Sequence, residues 1–248
     1  MTARAVLPRP RGGLAGRKLF WHALCGVFAT LIPTDPTAAQ IAASVGLDSD
    51  YRYRGYSLSD GHPTASAQFS YDDPSGFYAS VSGLTDLGDG TRFLGGIANA
   101  GYAKRLNEHV TLDGGVLRSQ VRSAYPGGLD FKYTEIYAGA YVGPVVGRIY
   151  YSRDYRTSGQ STLYGELEAG FEPISKWRLS GHVGMLTYLN TSEYWKGGQT
   201  HRDWRISLGR QLGKLEIHSA VSGGSPAFYG NHRHSGPVVT MGGSFTFQ

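Results

Sequence analysis

A single cysteine, Cys25, is all the thiol chemistry in 248 residues, and it lies close to the N-terminus. Disulfide scaffolds and zinc ribbons are excluded on that ground. Long apolar runs are missing too: the longest, Leu19 to Ile32, has 14 residues, whereas a membrane-spanning helix takes about 20. A bundle of membrane helices is thereby excluded, in keeping with a mean hydropathy of -0.28. Helical spacing is hard to find beyond Gln40. The 36 glycines are spread through nearly every segment, and each would cost a helix about 1 kcal/mol.

The apolar run follows Arg4, Arg9, Arg11, Arg17 and Lys18 and precedes Pro36 and the small residues Thr37, Ala38 and Ala39. That order marks residues 1–39 as a cleaved secretory signal peptide; the alternative is a retained interfacial anchor. Leu24 before Cys25 disfavours a lipoprotein. Removing the leader takes five of the 24 basic groups and one of the 19 acidic ones, leaving 19 against 18. The pI of about 9.2 is thus mostly the leader's, and no basic patch points to nucleic acid.

What is present from Gln40 onward is period-two alternation. Ile41, Ala43, Val45, Leu47, Tyr51 and Tyr53 alternate with Ser44, Asp48, Asp50, Arg52 and Arg54; Leu163, Leu167, Ala169 and Phe171 share a face opposite Thr162, Glu166 and Glu168. Marking every such run gives twelve strands, near residues 41–54, 63–72, 76–84, 92–105, 109–118, 132–142, 145–153, 162–171, 176–188, 201–212, 214–222 and 237–248. Long polar connections alternate with tight turns along the whole chain, so the long ones gather at one end of an up-and-down meander. Residues 40–248 therefore read as one all-β domain, a transmembrane antiparallel barrel of about 12 strands with tight periplasmic turns and extended outer loops. Closure leaves no unpaired strand edge in hydrocarbon.

Aromatics support this. With the first strand running outward, Tyr51, Tyr53, Tyr151 and Trp204 fall toward the outer interface, and Tyr71, Phe77, Phe171, Trp177, Phe245 and Phe247 toward the inner one, as two girdles require. A secreted soluble β-sandwich would also alternate, but needs neither girdles nor a one-sided bias in loop length.

The opposite face of each strand then lines the lumen. The residues expected there are Asp48, Asp50, Arg52, Arg54, Gln68, Asp113, Glu135, Arg148, Glu166, Glu168, Arg178, His182, Asp203, Arg205, Glu216 and His218. Such charges pair across the wall, and they also set the selectivity of a hydrophilic path. Asp48, Asp50, Arg52 and Arg54, crowded on the first strand, are the candidates for a constriction.

The tract Ser49-Asp50-Tyr51-Arg52-Tyr53-Arg54-Gly55, followed by Asp60-Gly61-His62-Pro63 and Pro74-Ser75-Gly76-Phe77-Tyr78, resembles the opening hairpin of the TorF-type porins, the Gcw_chp family of Gram-negative outer-membrane proteins. The resemblance implies an outer-membrane barrel acting as a passive channel, with no family substrate or catalytic residue to carry over. Barrels usually end on an aromatic, whereas here Gln248 follows Phe247.

Chemistry is not expected. No G-x-S-x-G elbow positions a nucleophile, and His182 and His218 read as wall residues. His232 and His234, with His62 and His201 near the same outer rim, are of a type that ligates metals, yet a solvated loop explains them as well, so neither metal nor cofactor is assigned. The expected function is passive diffusion of small hydrophilic solutes, with outer-membrane lipid and the barrel assembly machinery as partners. A non-conducting barrel with binding or adhesive outer loops is the first alternative, and a lipid-modifying enzyme the second. The lipid face is compatible with a monomer or a trimer.

Overall fold

The computed structural model describes residues 39–88, 90–122, 130–156, 158–190, 200–225 and 236–247. Residues 1–38 of the expected signal peptide, the segment 123–129, the pair His232 and His234, and Gln248 lie outside the described residues. Among the described residues fourteen strands follow in order: β1 (Gln40–Asp48), β2 (Arg52–Tyr53), β3 (Tyr56–Ser57), β4 (Thr64–Asp72), β5 (Phe77–Asp86), β6 (Arg92–Arg105), β7 (Val110–Arg122), β8 (Asp130–Val142), β9 (Val145–Ser152), β10 (Thr162–Ile174), β11 (Trp177–Tyr188), β12 (Thr200–Leu212), β13 (Leu215–Gly224) and β14 (Val238–Phe247). All but β2 and β3 form one closed antiparallel barrel of twelve strands, each paired to its chain neighbour, with β1 joining β4 on one side and closing against β14 on the other. The register at the seam runs from Ala43 opposite Phe247 to Asp48 opposite Gly242.

Alternation builds the wall. Ile41, Val45, Leu47, Phe69, Val81, Leu112, Val116, Ile136, Ile149, Leu163, Leu167, Val183, Ile206 and Ile217 all face outward and are exposed. In water so continuous an apolar surface would aggregate; it is the belt that hydrocarbon solvates. Tyr151, Trp204, Tyr71, Phe77, Phe171, Phe245 and Phe247 are exposed on the same outer face. The tight turns 73–76, 106–109, 143–144, 175–176 and 213–214 share one rim, and the longer connections share the other.

Two expectations fail at the first strand. It ends at Asp48 rather than Arg54, and Tyr51 and Tyr53 are buried inside the barrel rather than exposed in the outer girdle. The chain turns into the lumen after Asp48 and forms a separate two-stranded hairpin, β2 with β3. The alternation persists through it because a hairpin is also period two. Arg54 and Gly55, both at positive φ (47° and 79°), make the two-residue mirror-image turn that tight hairpins favour. Asp60 and Gly61 repeat that pair of conformations (57° and 80°), and the His62 N–H closes the second turn on the Ser59 carbonyl at 3.0 Å.

Inside the wall, glycine makes room for bulk. A side chain at Gly101 would strike the Tyr78 hydroxyl, one at Gly184 the Tyr164 hydroxyl, and one at Gly115 would sit 2.7 Å from the Tyr137 hydroxyl. These strands keep an inward gap so that a neighbouring tyrosine can lie flat along the barrel.

Candidate functional site

The inserted hairpin is organised by Asp50. Its carboxylate accepts from Ser57 Oγ at 2.5 Å and Ser59 Oγ at 2.9 Å, and Arg52 Nη1 donates to it at 3.3 Å. Ser59 Oγ accepts the Tyr51 N–H at 3.0 Å, and the Leu58 N–H donates to the Tyr51 carbonyl at 2.8 Å. At the base, Ser49 ties the hairpin to β14: its N–H donates to the Met241 carbonyl at 2.8 Å, and its Oγ accepts the Met241 N–H at 3.0 Å.

The hairpin crosses the lumen. At its tip Arg54 donates from both terminal nitrogens to Glu135 on β8, at 2.9 and 2.7 Å, a fork-on-fork pair with both side chains almost wholly buried. The guanidinium lies over the Tyr164 ring, 3.9 Å from its centroid. Tyr133 donates its hydroxyl to Tyr53 at 2.8 Å. On the far side Gly55 is wedged against Asp203 and the backbone of Gly223 and Gly224, leaving no space for a Cβ. Burial would lower the Arg54 pKa, but the Glu135 carboxylate more than offsets it, so the guanidinium stays charged. Burial pushes the Tyr53 and Tyr56 hydroxyls up, which keeps both neutral.

Nearer the tight-turn rim a second network fills the β5 to β10 side. Arg148 Nε donates to Asp113 at 2.9 Å and is bonded to the Tyr141 hydroxyl. Tyr78 donates to Asp113 at 2.5 Å and is bonded to Tyr137. Glu166 accepts from Tyr150 at 2.9 Å and lies 3.7 Å from Arg148. Separate pairs complete the wall: Arg205 with Glu168 at 3.8 Å, Arg178 with Glu216 at 3.5 Å, His182 with Asp203 at 2.8 Å and His218 with Asp48 at 2.9 Å.

Between hairpin and wall a cavity of about 60 Å³ remains, lined by Arg52, Arg54 and Gly55 on one side and by Glu166, Glu168, His182, Asp203 and Arg205 on the other. Water occupies about 10–15 Å³ by this measure, so it has room for about four waters.

A family model described as "Bacterial protein of unknown function (Gcw_chp)" matches residues 33–222. The chain belongs to the Gcw_chp family. No curated protein matches it. Among solved structures it is similar to the KdgM porin, at 13% identity and a TM-score of 0.52 over 84% of this chain and 99% of that one. It is also similar to the NanC porin, at 11% identity and a TM-score of 0.56 over 84% and 100%. A third likeness is to "KdgM porin in complex with disordered oligogalacturonate", at 13% identity and a TM-score of 0.51 over 85% and 100%. At such identities the likeness is one of fold, that of outer-membrane porins.

In this Gcw_chp barrel the sequence-derived lumen residues are all inside, but not as one strand would array them. Asp50, Arg52 and Arg54 are on the inserted hairpin, and Asp48 remains on β1. Arg52, Arg54, Glu166, Glu168 and Arg205 share the cavity. Glu135 and Arg148 stand behind it as partners of Arg54 and Glu166, while Asp48, Arg178 and Glu216 pair elsewhere on the wall. Sequence reasoning missed the inward tyrosines 133, 137, 150 and 164, all buried. Their strand parity, shared with Glu135, Arg148 and Glu166, was the available signal. His62 lies against Asp86 at 3.5 Å and His201 packs edge-on against Tyr56 and Tyr188. Among the described residues no group of three metal-ligating side chains forms.

Proposed function

We propose that this Gcw_chp protein is a porin-like channel of the Gram-negative outer membrane through which small hydrophilic solutes diffuse passively. One observation carries the proposal: a polar, charged lumen runs inside an apolar belt, and the inserted hairpin narrows it while leaving a charged cavity beside β10 to β12. Charged side chains arrayed around a water-filled path are how such pores select. Arg52 and Arg54 form the constriction with Glu166, Glu168 and Arg205; Glu135 and Arg148 hold it in place. In this reading the barrel works as a channel rather than as an enzyme. The signal peptide, residues 1–39, is cleaved on export, and the assembly machinery inserts the barrel into lipid.

Planar bilayers test the proposal. The mature barrel, folded in detergent and reconstituted, gives stepwise currents in KCl. A folded barrel that stays silent would instead be a binding module, and lipid hydrolysis in detergent micelles would make it an enzyme. N-terminal sequencing of the membrane form, starting at Gln40, checks the leader.

A further inference from the structure

We infer that the cavity between the hairpin and β10 to β12 is a transit site for small amphoteric solutes, those carrying an ammonium and a carboxylate together. The inference rests on the channel proposed above and names what that site takes.

Its basis is how the charges are compensated. The hairpin side offers two guanidiniums, Arg52 and Arg54. Their carboxylate partners, Asp50 and Glu135, are not among the lining residues. The opposite wall offers Glu166, Glu168 and Asp203. Arg148, one cation partner of Glu166, is also outside the lining. Among the lining residues on the carboxylate side, Arg205 stands beside Glu168 and the His182 imidazole beside Asp203. A solute in the cavity therefore meets cations across from anions over a short span.

A zwitterion satisfies both walls at once, its carboxylate toward Arg52 and Arg54 and its ammonium toward Glu166, Glu168 and Asp203. A simple ion is drawn to one wall and repelled by the other. An uncharged amide displaces the water that solvates both and returns weaker bonds. With room for about four waters, the cavity is on the scale of the smallest amino acids.

Liposome swelling with the mature barrel compares glycine with glycolamide, its uncharged isomer of identical composition. Glycine is expected to enter faster by about tenfold, equivalent to about 1.4 kcal/mol of preference. Both Arg52→Gln and Glu168→Gln should bring the ratio toward one, each variant checked for folding by its heat-modifiable gel mobility. Barrels that carry KCl current but admit both isomers equally, or favour acetate or ethylammonium over glycine, overturn the inference while the channel stands. Folded barrels with no KCl current overturn the channel itself. The wild-type comparison decides the matter even if a variant fails to fold.

Discussion

Replacing Glu135 with Gln tests whether the hairpin sets the width of the lumen. The substitution leaves the Arg54 guanidinium deep in the barrel with a neutral amide where it had a carboxylate at 2.7 and 2.9 Å. Removing one partner of a buried ion pair costs about 3–5 kcal/mol. Side-chain exposures of 4% and 0% leave little water to soften that figure. The attraction of the Tyr164 ring for Arg54 is present in the wild type as well, so it offsets none of the loss. The inserted state thus loses about 3–5 kcal/mol, a shift of roughly a hundredfold to several thousandfold toward withdrawal. The twelve wall strands keep every pairing, so the barrel stays folded. Single-channel recording should find larger, noisier KCl conductance, and trypsin added from outside should cut at Arg52 or Arg54. Adding Arg54→Gln removes the stranded cation and should recover part of the inserted population. Wild-type conductance and wild-type protection in Glu135→Gln would refute the pinning role of the pair.

Gly184→Ala places a methyl against the Tyr164 hydroxyl and 2.7 Å from Asp203 Oδ2; overpacking of about 1–3 kcal/mol should lower the urea midpoint, whereas Gly165→Ala, with nothing within 4 Å, leaves it in place. Leu167→Arg, on the outer face in the middle of β10, puts a cation into hydrocarbon at about 2–4 kcal/mol, and refolding yield into lipid vesicles should fall steeply. In the turn 73–76, bonds from the Ser75 hydroxyl and N–H hold the Asp73 carboxyl below the usual carboxylate range. A depressed folded-state pKa stabilises above the unfolded value and is lost as pH falls through the folded one. The protection factor of the Ser75 amide against exchange should therefore fall on acidification below the ordinary carboxylate range, and should lose that dependence in Asp73→Asn.

The strands were legible because lipid imposes a rule that each one must obey alone. Ile41, Val45 and Leu47 need no knowledge of the fold to mark an outward face, and the tight turns at Gly143 and Gly213 need none to mark a rim. The inserted hairpin was harder because it obeys the same rule for another reason. Tyr51 and Tyr53 continue the rhythm of β1 while facing the lumen. The local clue was two turn dipeptides in close succession, Arg54-Gly55 and Asp60-Gly61, which no single strand crossing a membrane accommodates. Tyrosine was ambiguous by its chemistry, since a ring with a hydroxyl suits an interface girdle and a wet lumen alike. Parity resolves it: Tyr133 and Tyr137 flank Glu135, and Tyr164 precedes Glu166 by two, so a tyrosine in register with a carboxylate belongs inside. The Arg54 to Glu135 bond joins residues 81 positions apart, and no local pattern encodes it. The glycines carry the complementary half of the message. An inward glycine such as Gly101 or Gly184 is the imprint of a tyrosine on an adjacent strand, so tyrosine and glycine positions together specify which strands are neighbours.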